Sequence, residues 1–405
     1  MIKYPPMDIH KIVSRIISDV RASGDKAVCA YTKKFDGISL SPSDMRVGRA
    51  DIDGAASKLD PELKRAIDFA ASNARAYARR AAESIRKAPR ASGRRRGSAV
   101  EIFEKFVPVK TAALYVPGGR YPYPSSVIMT AAPAVAAGVE RVYVVTPPPN
   151  AVPAVLYAAR VSGVSEIYLA GGAQAVAAAA YGTKTIPRAD IIAGPGNSFV
   201  TEAKRQVFGD VGIDMLAGPS EVAIIADDSA PPSWIAADLC AQVEHDPSAV
   251  GYLFASTSRL ASAVRALIPS EYRSRVKISV ASGRKACGFV DEIAPEHLEL
   301  MVTKPSLLLN SISNAGAIFL GAGTPTAVGD YCAGPSHVLP TASSARFSSG
   351  LSPATFLKRM SVVKAPPSQS AGRIYRAAGI LASSEGLVWH ERSLSMRAAA
   401  QRMKK

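Results

Sequence analysis

The chain holds five histidines, His10, His245, His297, His337 and His390, and these are the first place to look for acid–base or metal chemistry. Four stand in polar surroundings: His245 in QVEHD, His297 in APEHLEL, His337 in GDYCAGPSH and His390 in EGLVWHE. Three have an acid as immediate neighbour, and His337 follows Asp330 by seven residues. A lone histidine beside an acid is most often a solvated or satisfied side chain. Repeated through one chain, the pairing points to metal binding or proton transfer, which imidazole and carboxylate together can supply. Gln242 and His245 are three residues apart and would project from one face of a helix. With Asp330 and His390, remote in sequence, they make a mixed nitrogen and oxygen set of the kind zinc accepts. The set has no thiolate and includes a weak glutamine ligand, which suits a catalytic site over a closed structural one. Q-x-x-H alone is a common spacing. The Glu296-His297 pair has two readings: two bases of different proton affinity, or a glutamate in the first turn of a helix after Pro295 with an incidental histidine.

Glycine loops offer a second kind of chemistry. Gly171-Gly172 follows an apolar run and precedes a helix-like one, as do Gly194-Pro195-Gly196-Asn197, and Gly118-Gly119 follows another apolar run. Backbone donors at a helix start favour anions. None completes G-x-G-x-x-G, since Phe199 and Thr326 stand at the third positions, so the standard dinucleotide fingerprint is absent. Each loop alone is as readable as a tight turn. The four cysteines, Cys29, Cys240, Cys287 and Cys332, form no C-x-x-C pair and read as small, buried residues.

The elements that must carry these residues follow from hydrophobic periodicity. Ile9, Ile12, Val13, Ile16, Ile17 and Val20 recur at helical spacing between Asp8 and Arg21. Asp60-Pro61 opens a long helix, aspartate as cap and proline in the first turn. Residues 90–97 read as an exposed hairpin or loop. From Val100 short apolar strands alternate with helices: RVYVVTP, EIYLAGG, ADIIAGPGN, EVAIIAD and GYLFAST are strands, and the segments between them are helical. Continuous apolar strands separated by helices imply parallel sheet buried on both faces. After about residue 350 the tail reads mainly as helices, near 368–382 and 385–403. The expected fold is α/β: two Rossmann-like parallel-sheet domains, incomplete and lacking G-x-G-x-x-G, with small helical segments at both ends. The expected division groups residues 1–112 with 222–350 (N-terminal helices plus the second sheet), sets 113–221 apart as a second Rossmann-like domain, and leaves 351–405 as a small, mainly helical region completing the active site.

Composition excludes some classes. At 405 residues and 48% hydrophobic, the chain can bury a sizeable core in two or three domains. The longest weakly polar run, 126–139, is too short to span a bilayer and contains Pro133. The opening MIKYPPMDIHK lacks the apolar core of a signal peptide, so a cytoplasmic location is expected. The formal charge of +16 invites a nucleic-acid reading, but the basic runs have no interleaved aromatics and match no nucleic-acid fold. A solvated basic surface, without nucleic acid or membrane as partner, is the expectation.

Taken together, ALYVPGG with YPSSVIM, GGAQAVAAAAYGT, GPGNSFVTEAKRQVFGDVGIDMLAGPSEV, ADLCAQVEHD, APEHLEL, AGAIFLGAGTPTAVGDYCAGPSHVLPT and EGLVWHE resemble the histidinol dehydrogenase family from about Val20 to His390. The resemblance implies a zinc-dependent enzyme that oxidises L-histidinol through L-histidinal to L-histidine, reducing two NAD at one site, in the last step of histidine biosynthesis. It implies Gln242, His245, Asp330 and His390 as zinc ligands, one zinc ion per subunit, and Glu296 and His297 as the catalytic pair. It implies Ser220, His337 and Glu385 as substrate contacts alongside Gln242, His245, His297, Asp330 and His390. Tyr115, Gln174 and Asn197 match NAD-contacting positions. It also implies a homodimer whose active site is shared between subunits. Departures are small: Val243 replaces the usual alanine of QAEHD, and the stretch 351–384 resembles the family only loosely. Two other readings remain: a zinc-dependent NAD dehydrogenase of another amino alcohol that stops at the aldehyde, and a non-catalytic basic binding protein.

Overall fold

A computed structural model describes residues 7–87, 100–118, 122–244, 246–365 and 371–400. The expected loop at 90–97, His245 and Gly119 lie outside the described residues. Four helices open the chain: α1 (Met7–Ser23), α2 (Asp25–Asp36), α3 (Arg49–Gly54) and α4 (Pro61–Lys87). The apolar stripe of α1 buries Val13, Ile16, Ile17 and Val20, while Ile12 falls outside it and is 44% exposed. Asp60 caps α4 as its position suggests, its Oδ1 accepting the Glu62 N–H at 2.8 Å.

Strand β1 (Glu101–Pro108) is followed by β2 (Thr111–Tyr115), α5 (Pro124–Ala137), β3 (Arg141–Thr146), α6 (Pro153–Val161), β4 (Glu166–Leu169), α7 (Gly172–Tyr181), β5 (Ile191–Ala193), α8 (Ser198–Val207) and β6 (Gly212–Ile213). A second run holds β7 (Glu221–Ala226), α9 (Pro232–Glu244), β8 (Val250–Ala255), α10 (Ser258–Leu267), β9 (Val276–Val280), α11 (Gly283–Ile293), β10 (His297–Met301), α12 (Pro305–Leu309), β11 (Ala317–Leu320) and α13 (Thr326–Tyr331). Two five-stranded sheets result, in the orders β4-β3-β2-β5-β6 and β11-β10-β7-β8-β9. Every pairing within them is parallel. This is the expected α/β class. Strand order reverses between β2 and β5 in the first sheet and between β7 and β10 in the second. In open α/β sheets a ligand crevice forms at such a reversal, outside the carboxyl ends of the strands.

Helices α1 and α2 pack with the first sheet: Val13, Ile16, Val20 and Val28 share one core with Tyr115, Tyr168 and Val176, while Asn73 of α4 donates to the Cys332 carbonyl beyond α13 at 2.9 Å. The apolar stripe of α1 lies on α7 and α8, and that of α2 on α7. The tail is mainly helical, as its sequence reads, but not wholly so. It contains strand β12 (Leu357–Lys364), which pairs with β1 in a two-stranded sheet. LKRMSVVK has a largely exposed strand pattern with no continuous apolar run, which is why periodicity passes over it.

The chain divides into two units, residues up to 82 with 108–356, and 83–107 with 357–405. The second holds β1, β12 and the helical pair α14 (Ala371–Ser384) and α15 (Val388–Ala400), which pack on each other. Among the described residues, no helix is long and apolar enough to cross a membrane.

Candidate active site

Strand β10 is the pivot of the site. Ala294 takes a left-handed conformation (φ 49°) and ends α11, and Pro295 follows. His297 therefore opens an inner strand with Glu296 directly before it, and neither starts a helix as one sequence reading has it. His297 lies between Val222 of β7 and Ala317 of β11. All five residues of β10 are buried, so its polar members are held inside the protein by design of the sheet.

His297 is 4% exposed. Its Nδ1 lies 3.8 Å from Glu296 Oε2, and its Nε2 lies 3.3 Å from Asp330 Oδ1. Neither ring nitrogen makes a hydrogen bond. A buried imidazole with two unsatisfied nitrogens is costly, and such groups gather where a ligand completes them. Burial alone would depress its proton affinity, but Glu296 and Asp330 outweigh burial and raise it. Glu296, 7% exposed, accepts the Glu221 N–H at 3.3 Å. Burial, with the Asp330 charge adding to it, pushes its carboxyl above the ordinary range, against the pull of His297 and a hydrogen bond from Ser220. Glu221, at the start of β7, is pushed up to about 7 by burial and then by Glu296.

Asp330 sits on α13, and its carbonyl oxygen accepts from His337 Nδ1 at 2.8 Å. A carbonyl cannot donate, so the His337 proton is on Nδ1. That leaves Nε2 to accept from the Ser126 hydroxyl of α5, 3.4 Å away. Gln242 is 5% exposed in the last turn of α9. Beside these residues opens a cavity of about 1130 Å³, lined among others by Tyr123, Ile128, Val243, Glu244, Tyr272 and Tyr331. Thus Ser220, Glu296, His297, Asp330 and His337 form one connected cluster within the first unit. Glu385, just beyond α14, and His390, on α15, are exposed residues of the second unit.

The first sheet carries the other candidates at its carboxyl edge. The Tyr115 hydroxyl, at the end of β2, accepts the Gly172 N–H at 3.0 Å. Gln174 in the first turn of α7 is 1% exposed, and its Oε1 has no hydrogen-bond partner. Asn197 caps α8, its side-chain oxygen accepting from Phe199 and Val200. The glycines serve close approach: a Cβ on Gly194 (φ 119°) would meet Tyr115 O at 2.1 Å, and one on Gly171 would meet the Pro147 ring at 2.6 Å. Beneath Gly194 lies a buried ion pair, Lys204 Nζ to Asp214 Oδ1 at 2.6 Å. Nothing in the sequence marks this pair, because a lysine ten residues before an aspartate is an ordinary surface spacing.

Among the described residues, no three of His, Cys, Asp and Glu converge to hold a metal ion by themselves. Of the expected ligands, Asp330 offers a carboxylate whose side chain is 24% exposed and Gln242 a nearly buried amide, donors of a kind zinc accepts. Cysteine chemistry has less support. Cys287 is buried and the other three are partly buried, and burial raises the thiols of Cys29, Cys240 and Cys287 away from the reactive thiolate.

The histidinol dehydrogenase family model matches residues 4–398. A histidinol dehydrogenase of Rhizobium meliloti is 46% identical, over 96% of this chain and 92% of its own length. One from Cereibacter sphaeroides is also 46% identical, over 98% and 93%. The crystal structure of histidinol dehydrogenase from Elizabethkingia anophelis superposes with a TM-score of 0.90 at 32% identity, covering 98% of this chain and 94% of that one. Fold, site cluster and full-length similarity agree: this chain belongs to the histidinol dehydrogenase family, an oxidoreductase family.

Proposed function

We propose that the chain oxidises L-histidinol through L-histidinal to L-histidine, with zinc as resident metal and two NAD reduced, as the last step of histidine biosynthesis in the cytoplasm. The observation that carries this reading is His297: a buried imidazole, both nitrogens unsatisfied, set between Glu296 and Asp330. Such a ring takes a proton readily, and the flanking carboxylates stabilise the imidazolium that results. In the first step His297 would accept the alcohol proton as the carbinol carbon gives up hydride, for which NAD would be the acceptor. In the second, Glu296 takes a proton from water as its oxygen adds to the aldehyde carbon. The hydrate anion so formed would lose its carbon-bound hydrogen as hydride, for which a second NAD would be the acceptor, and the resulting carboxylic acid would release its proton to solvent to give the carboxylate. A glutamate whose proton affinity is raised by burial is suited to that second role.

Gln242, His245, Asp330 and His390 would hold the zinc ion, which supplies positive charge and orients the substrate but no redox chemistry. Ser220, His337 and Glu385 would contact the substrate. Tyr115, Gln174 and Asn197 would meet NAD at the β2–β5 reversal, where the loops leave the sheet. A homodimer with a shared site fits the character of the second unit. Its helical pair exposes Ile380, Leu381, Val388, Trp389 and Met396, each more than 60% accessible, and an apolar surface of that kind favours a protein partner.

Glu296→Gln tests the division of labour. The variant is expected to keep one round of NAD reduction from histidinol and to lose oxidation of added histidinal by about 10²–10⁴-fold. Full histidinal oxidation by the variant would refute water activation by Glu296.

A further inference from the structure

Two residues beyond the His297 ring, on the same face of β10, lies a carboxylate that the proposed reaction does not use. Glu299 is fully buried. Its Oε1 accepts the N–H of Thr326, the first residue of α13, at 2.8 Å. Its Oε2 has no donor in reach. What does face Glu299 is Asp238, close enough to hydrogen-bond to it. Two ionised carboxylates only accept, so that contact closes only when one of them carries a proton. Asp238 sits one helical turn before Gln242 on α9, on the same face. Glu299 thus touches α9 and α13, and its own strand opens with His297, directly after Glu296.

We propose that Glu299 and Asp238 form a one-proton carboxyl bracket that ties α9, β10 and α13 together and so positions Gln242, His297 and Asp330 against one another. This rests on the reading of those three residues as the reacting cluster. Glu299 is a positioning residue: it acts through Thr326 and Asp238 and does not meet the substrate. Burial, and next the Asp238 charge, hold its carboxyl above the ordinary range; Asp238 is raised by its own burial. The charged groups facing Glu299 are Asp238 from α9 and His297 on its own strand, while α13 presents Thr326. Ile224 of β7 and Phe319 of β11 flank it in the sheet.

The bracket predicts a particular order among variants. In Glu299→Gln the amide reproduces the protonated carboxyl, accepting from Thr326 and donating to an ionised Asp238. Its activity is expected to stay at the parent level. Glu299→Leu keeps apolar bulk but makes neither bond. Its kcat for histidinol is expected to fall about 10–100-fold, with NAD affinity unchanged, because NAD is assigned to the other sheet. Stability gives a readout separate from activity. A carboxyl raised in the folded state stabilises fully below its unfolded proton affinity and loses that contribution as pH rises through the folded one. The urea midpoint of the parent should therefore decline from acidic toward alkaline pH, and that of Glu299→Gln should decline less. Equal kcat for the Gln and Leu variants, or identical pH slopes for parent and Gln variant, would overturn the bracket. A parent protein inactive on histidinol that still shows the slope difference would instead count against the reaction assigned to the site, leaving the bracket standing.

Discussion

Replacing Lys204 by methionine isolates what the buried ion pair under the first crevice contributes. The Lys204 and Asp214 side chains are 4% and 0% exposed, with 2.6 Å between Nζ and Oδ1. Lys204 also donates to the Gly194 carbonyl at 2.5 Å. Asp214 accepts the Gly194 N–H at 2.7 Å and the Met215 N–H at 2.7 Å. Methionine keeps the length and apolar bulk of the lysine stem but leaves the Asp214 charge in the interior. Breaking a buried pair on one side costs about 3–5 kcal/mol. Two backbone donors remain on Asp214, which argues for the lower end, about 3 kcal/mol, or roughly two decades in the folding equilibrium. Arg49→Met is the matched control. Its pair with Asp53 is also within hydrogen-bond distance, at 2.9 Å, but the side chains are 68% and 45% exposed, so about 0–1 kcal/mol is expected. Urea unfolding followed by circular dichroism reads both. In Lys204→Met the Gly194 loop loses its anchor, and the KM for NAD should rise as well. If Lys204→Met unfolded at the same urea concentration as Arg49→Met, the claim that this pair holds the loop would be wrong.

Gly194→Ala places a Cβ 2.1 Å from Tyr115 O at a φ of 119°. Backbone must move, so NAD binding should weaken at least about tenfold, whereas Gly288→Ala in α11, whose Cβ meets nothing within 4 Å, should leave it unchanged; fluorescence titration with NAD compares them. Glu221 carries a carboxyl pushed up to about 7 in the folded protein. Its contribution to stability is full below about pH 4.5, the ordinary range, and is lost as pH rises through about 7. Glu221→Gln should therefore flatten the fall in urea midpoint between those values, and an unaltered fall would refute the assignment.

What could be read without coordinates was set by chemistry that repeats locally. The αL residue Ala294 and the buried strand after it are invisible to a rule that takes Pro295 as a helix start, so His297 and the Glu296 before it were placed in a helix in one reading. That same error hid Glu299. On a strand, His297 and Glu299 share a face, while on a helix they do not. The alternating sheets were legible because each strand is a short apolar run with helix on either side, and β12 was not because most of its side chains face outward. The N-terminal helices show their apolar stripe in sequence but not the sheet it will cover, since either sheet offers an equally apolar face. Ser126 and His337 meet only because α5 and the chain after α13 converge, a long-range contact with no local signal.

The central claim is that one site, built around His297, carries two successive oxidations. The direct measurement mixes a limiting amount of L-histidinol with the purified protein, excess NAD and zinc, and counts NADH by absorbance when the reaction stops. The account predicts two NADH per histidinol consumed, histidine as the product, and loss of the reaction on treatment with a chelator. One NADH per histidinol, or a rate indifferent to the chelator, would contradict it.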